Sequence, residues 1–128
     1  MYTDPIADLL TRIKNAARAR KETVRLPYSK VKESILANLK QRGFVTDYTM
    51  ETDEQAHKQI NITINNERRD IEVKRISKPG QRIYVKSSEI KKVHGGLGVA
   101  IVSTPKGILT GEEAIKQKLG GELICEVY

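Results

Sequence analysis

The reading of this chain turns on Gly98-Val-Ala-Ile-Val-Ser103-Thr104-Pro105-Lys106-Gly107-Ile-Leu-Thr110-Gly-Glu-Glu113-Ala114. Val99 to Val102 is a short apolar run rich in β-branched residues, the composition of a buried strand. Pro105 fixes φ and Gly107 permits a positive one, so a tight loop follows. Thr110 and Glu113 have capping-box spacing, which predicts a helix start. Strand, loop and helix start come in that order. The loop presents the Ser103 and Thr104 hydroxyls beside the Lys106 ammonium, on a backbone bare at Gly107. Such a surface can donate hydrogen bonds to phosphates and sugar hydroxyls. The same residue types also make plain turns, and the phosphate-loop spacing G-x-x-x-x-G-K-[ST] is absent.

Upstream, Asp4-Pro5 gives an N-cap acid and a proline in the first turn of a helix. Ile6, Leu9, Leu10, Ile13 and Ala17 form its apolar stripe, and Asp8 and Arg12 have the spacing of an i,i+4 ion pair. Thr23 to Leu26 reads as a short strand ended by Pro27. Ser29 caps a second helix with Val31, Ile35, Leu36 and Leu39 inward, and Gly43-Phe44 is a Schellman-type stop. Lys30 and Lys32 sit at the end of that helix where cations are disfavoured, a cost a bound phosphate would offset. Phe44–Met50 and Gln59–Ile64 read as strands, with Ile60, Ile62 and Ile64 inward. An acidic hairpin loop, Glu51–Lys58, joins them.

The turn-rich segment 65–70 is the expected domain boundary. Beyond it lie a strand over Ile71–Ile76 and a type II turn at Ser77-Lys78-Pro79-Gly80. A strand over Arg82–Val85 and a turn of helix from Ser88 to Val93 follow. A helix over Gly111–Leu119 stops at Gly120-Gly121, and Glu122–Tyr128 closes the chain as a strand. The expected class is α+β. Residues 1–66 form an α/β domain with two helices and a three-stranded sheet; residues 67–128 form a mostly-β domain with one short helix.

The 128 residues, 38% hydrophobic, can bury a real core, and no apolar run reaches the length needed to span a bilayer. A lone Cys125 in an apolar run reads as a core thiol of a reducing compartment, so a cytoplasmic, soluble protein is expected. The formal charge of +7 points to a polyanionic partner. Residues 1–46 and 58–92 each carry +6, residues 47–57 carry −4, and residues 93–128 carry −1. The loop at 103–107 therefore lies in the least basic of the long segments. Long-range attraction must come from elsewhere, and the loop must work by fit.

The order Gly98, Ile101-Val102, Ser103-Thr104, Gly107-Ile108-Leu109, Ala114 resembles the signature of bacterial-type small-subunit ribosomal protein S8. The resemblance extends through Thr3-Asp4-Pro5-Ile6-Ala7-Asp8, Arg12-Ile13-Lys14-Asn15-Ala16, Pro27-Tyr28-Ser29-Lys30, Ser77-Lys78-Pro79-Gly80, Arg82, Tyr84, Gly120-Gly121-Glu122 and Cys125. It implies a structural constituent of the ribosome, a primary binder of the central domain of small-subunit ribosomal RNA that helps assemble the platform. It implies ribosomal proteins five and twelve of that subunit as neighbours, a monomer within the subunit, and no cofactor, metal or membrane. Ser103, Thr104, Lys106 and Gly107 take the principal RNA contact by this resemblance. Supporting contacts fall to Tyr84, Lys30 and Glu122, and also to Thr3, Asp4, Arg12, Asn15, Ser29, Lys32 and Arg82. Pro105 stands where the family usually has a third hydroxyl. Gly111-Glu112 replaces an Asp-Arg, and Ile115 replaces a basic residue.

Two other functions compete. The same surface could bind the chain's own messenger RNA as a repressor. An enzyme could use Ser103 or Thr104 as nucleophile or the loop as a phosphate cradle, but neither His57 nor His94 has a triad context and no metal-ligand spacing occurs.

Overall fold

The computed structural model describes residues 4–128, so Thr3 lies outside the described residues. It is α+β, with three helices and two antiparallel sheets of three and five strands. The chain groups into two compact units, Ile6–Ile71 and Glu72–Tyr128, the second joined by Asp4 and Pro5.

In the first unit α1 (Pro5–Arg18) starts on proline, whose absent N–H is one the first turn does not need. Leu9, Leu10, Ile13, Ala16 and Ala17 are its buried stripe, and Arg12 pairs with Asp8 at 3.2 Å on the exposed face. β1 (Thr23–Pro27) and β2 (Val45–Thr52) flank β3 (Lys58–Ile64). Ile60, Ile62 and Ile64 are buried, as their alternation requires. The loop between β2 and β3 is shorter than expected because the ladder continues to Thr52 and Lys58. Its tip is held by Asp53, which accepts from the His57 and Gln55 N–H groups at 2.8 and 2.9 Å. The His57 bond is the main reason this carboxyl titrates below its ordinary value.

α2 (Lys30–Gln41) is capped by Ser29, whose hydroxyl accepts from Lys32 N at 3.2 Å. Its end is the Schellman arrangement, with Phe44 N bonded to Leu39 O, Gly43 N to Lys40 O, and Gly43 at φ +78°. One face residue differs from expectation: Val31 is 43% exposed and Lys32 is 7% exposed. Lys32, Ile35, Leu36 and Leu39 have i, i+3, i+4, i+7 spacing, so the lysine stem joins the core stripe while its ammonium reaches Pro27 O at 3.0 Å.

The second unit is built around β8 (Gly121–Val127), which pairs with β4 (Val73–Arg75) and β5 (Tyr84–Val85) on one side and β6 (Val99–Thr104) on the other. β7 (Gly107–Thr110) completes the sheet beyond β6. The segment 107–110 is thus a strand, not the tail of a loop, because it pairs with β6 in unbroken register. Thr110 then caps α3 (Gly111–Lys116), its hydroxyl accepting from Glu113 N at 3.2 Å.

Four further boundaries move. α3 ends at Lys116, not Leu119: Leu119 N bonds Ala114 O and Lys118 N bonds Ile115 O, which places Lys118, at φ +57°, in the position glycine usually takes. The strands expected over 71–76 and 82–85 shrink to Val73–Arg75 and Tyr84–Val85. Lys78 and Gln81 exchange both backbone hydrogen bonds, and Gly80 is outside the left-handed region, so the turn there is not type II. In place of a helix from Ser88 there are two 3-10 turns, Ser87–Glu89 and Val93–Gly96, the first preceded by Lys86.

Gly43 supplies a test of the first unit. Gly43→Val is expected to lower stability by about 1 kcal/mol or more, because a β-branched residue resists the left-handed cap. Thermal unfolding reads this directly, and an unchanged midpoint would mean the cap contributes nothing.

Candidate nucleic-acid interface

The β6–β7 hairpin turns at Pro105–Lys106, and Thr104 opposite Gly107 is its last pair. Strand alternation sends Ser103 and Thr104 to opposite faces. Thr104 is buried, and its hydroxyl donates to Gly107 O at 2.7 Å and accepts from Lys106 N at 3.2 Å. The expected pair of outward hydroxyls is therefore one: Thr104 braces the turn from inside. Ser103 is half-buried, and its hydroxyl makes no hydrogen bond among the described residues. Lys106 is exposed at the tip. Gly107, at φ +117°, occupies backbone space that side-chain-bearing residues rarely enter.

Register then extends the site across the sheet. Tyr84 lies opposite Glu122, Glu122 opposite Ser103, and Ser103 opposite Ile108. Directly opposed residues of an antiparallel sheet share a face, so these four make one row across β5, β8, β6 and β7. Tyr84 is 69% exposed, so its ring is open to solvent at the end of the row. Arg82 Nη1 sits 3.2 and 3.1 Å from the two carboxylate oxygens of Glu122. The row depends on Gly121, where a Cβ would collide with the Ser103 carbonyl oxygen.

The remaining expected contacts lie elsewhere. Asp4 accepts from Arg75 Nε at 3.0 Å, and Arg75 also donates to Ile124 O at 2.7 Å. Arg12 and Asn15 line a groove of about 500 Å³ together with Lys21, Thr23 and Arg25. Ser29, Lys30 and Lys32 stand at the start of α2. Beside them the Lys58 ammonium lies 4.1 Å from the centre of the Tyr28 ring. Lys21, Arg25 and Lys58 were not singled out by the sequence. Lys58 could have been, once β1 and β3 are paired, because Tyr28 N bonds Lys58 O at 3.0 Å.

The Cys125 thiol is pushed up to about 12, chiefly by burial, and so is not a nucleophile at neutral pH. Among the described residues there is no group of three or more His, Cys, Asp and Glu able to hold a metal, and no helix is long and apolar enough to cross a membrane.

The sequence profile described as ribosomal protein S8 matches residues 4–128. The chain belongs to the ribosomal protein S8 family. It is 48% identical to small ribosomal subunit protein uS8 of Chloroflexus aurantiacus, over 98% of this chain and 97% of the relative. The proteins of that name from Thermus aquaticus and Nitratidesulfovibrio vulgaris are 46% and 48% identical, with both chains covered in full. S8 proteins are structural ribosomal proteins, not enzymes. Within this S8 chain the signature residues fall into two physical classes, those that shape the hairpin (Thr104, Gly107) and those presented by it (Ser103, Lys106).

The two classes separate by mutation. Thr104→Val should lower stability by about 1 kcal/mol, since it leaves the turn's N–H and carbonyl short of partners. Ser103→Ala should leave the melting midpoint within about 0.5 kcal/mol of the parent. Equal midpoints for both variants would show that the Thr104 hydroxyl is not structural.

Proposed function

We propose that this S8 chain binds the central domain of small-subunit ribosomal RNA and helps build the platform of the subunit. Proteins five and twelve are its neighbours there, in the cytoplasm. The carboxy-terminal part, residues 67–128, is the principal RNA-binding domain. The observation that carries this reading is the row Tyr84–Glu122–Ser103, which runs to the exposed Pro105–Lys106 turn. An aromatic face, a fixed acceptor and an unpaired hydroxyl match the ribose-lined shallow groove and unstacked bases of folded RNA. They do not match a string of phosphates.

Affinity in this reading comes from two sources. The basic segments 1–46 and 58–92, including Arg12, Asn15, Ser29, Lys30 and Lys32, supply long-range attraction and phosphate contacts. The carboxy-terminal row supplies fit. Lys32 contributes mainly by anchoring α2, since its ammonium is engaged with Pro27 O.

Binding isotherms at several salt concentrations, on a central-domain RNA fragment and on a scrambled helix, test the reading. With ~4–6 phosphate contacts the log–log salt slope should be about −3 to −4. Lys30→Ala should weaken cognate and scrambled RNA alike, and Lys106→Ala should reduce the slope by about one unit. Ser103→Ala should weaken only the cognate complex, by about 1–2 kcal/mol, with the slope unchanged. Equal affinity of the parent for both RNAs would overturn the proposal.

A further inference from the structure

We propose that the open edge of β1 is a docking site for an extended acidic segment of another protein, which adds there as a further strand of the amino-terminal sheet. This goes beyond the RNA-binding reading and does not rest on it. The groups it uses are the Thr23 and Arg25 backbone and the cations beside them.

β1 is an edge strand, because the sheet order is β1-β3-β2. In an antiparallel pair the hydrogen-bonded positions alternate along each strand. Ile64 N bonds Glu22 O at 2.9 Å and Tyr28 N bonds Lys58 O at 3.0 Å. In the observed register the backbones of Glu22, Val24, Leu26 and Tyr28 therefore face β3, while those of Thr23, Arg25 and Pro27 face outward. Pro27 has no N–H, and its carbonyl already accepts from Lys32 Nζ at 3.0 Å, so the edge is closed at that end. Two N–H donors and two carbonyl acceptors stay open, at Thr23 and Arg25. Their alternate spacing is the one an added strand matches.

The groove of about 500 Å³ gives such a strand room. Thr23, Val24 and Arg25 line it from the sheet, and Asn15, Ala16 and Ala19 line it from α1. Neither β2 nor β3 contributes, so the groove flanks the edge of the sheet and not its face. Every second side chain of the added strand points to the side of Val24, where the alanines leave space; the others lie on the solvent side with Arg25. Charge selects these. No acid lines the groove, and Lys21, which does, is exposed and makes no ion pair among the described residues. Arg12 and Arg25 are held in exposed pairs with Asp8 and Glu51, weak enough to be shared with a partner's carboxylates. Alternating acidic and small apolar residues fit both requirements. Other occupants fit less well. A second copy of the chain would set Lys21 and Arg25 against like charges. RNA phosphates accept hydrogen bonds without donating any, so they would leave the Thr23 and Arg25 carbonyls unmet.

The test titrates the full chain with a terminally blocked, fluorescent peptide of alternating Glu and Val, with its Lys and Val counterpart, and with a mixed-sequence RNA oligonucleotide. The acidic peptide should bind about tenfold more tightly than the basic one. Lys21→Glu should weaken it about fivefold. Thr23→Pro removes one outward N–H and leaves the ladder to β3 intact, so it should weaken binding by about the same factor. Thermal melts confirm that each variant is folded. Amide exchange on the parent needs no variant: the bound peptide should slow exchange at Thr23 and Arg25 about tenfold and leave Val24, already bonded to β3, unchanged. Equal binding of the two peptides, no saturable binding of the acidic one, or unprotected Thr23 and Arg25 amides under saturating peptide would each overturn the proposal. RNA that protects the same two amides and displaces the peptide would overturn it in favour of a nucleic-acid groove. A dimer of the parent that Thr23→Pro dissociates would overturn it in favour of self-pairing.

Discussion

The register of β8 against its neighbours determines what the carboxy-terminal sheet can present. β8 exchanges hydrogen bonds with β4, β5 and β6, so one strand sets the height of residues drawn from distant parts of the chain. At its start Gly121 lets the backbone close against the Ser103 carbonyl, a separation that any side chain would prevent. An irregularity between Ile101 and Val102 then lets Ser103 fall opposite Glu122. A slip of one residue would send Glu122 to the other face and dissolve the row. Buried Ile101, Val102, Cys125 and Val127 oppose such a slip, because their burial is tied to the same register.

Charge is distributed to complement this arrangement. The two basic segments carry nearly all the positive charge, while the segment holding the hairpin is slightly acidic. Electrostatic attraction acts over a Debye length and does not discriminate sequence. Hydrogen bonds and stacking act at contact and do. Under the proposed RNA-binding reading, this separation leaves the row without lysine or arginine, so that its contacts act by fit. Arg82, next to the row, is paired with Glu122.

Local features were legible in the sequence and long-range ones were not. Ser29 and Thr110 as caps, Gly43 as a stop, the isoleucines of β3 and the buried Cys125 each follow from a few adjacent residues, and the structure has them all. The inward face of α2 was misread by one residue, because Val31 looked more apolar than Lys32 although the periodicity favoured the lysine. Lys118 in a left-handed conformation was hidden by the glycines just after it. For the site, resemblance supplied candidate residues but not their arrangement. That Thr104 braces the turn while Ser103 faces out depends on the alternation of a strand that had been read as ending sooner. The row itself joins positions 84, 122 and 103, and only pairing could bring them level.

Pro105 shows how a departure from the family pattern can be absorbed. By the resemblance it stands where a hydroxyl is usual, and it lacks a backbone donor, so the turn offers two fewer hydrogen-bonding groups to any ligand. In the structure it occupies the first position of a two-residue turn, with positive φ delayed to Gly107. Proline's fixed φ suits that position and reduces the freedom the unfolded turn would otherwise have, an effect of about 0.4–1 kcal/mol where the geometry is compatible. Thr104 Oγ1 meanwhile takes its hydrogen bond from Lys106 N, one residue further on, so no donor at residue 105 is required for the brace. Lys106 is thereby fixed at its backbone while its side chain stays exposed. The turn gives up those groups and gains a more rigid placement of Ser103 and Lys106, and rigidity is what the proposed contact by fit depends on.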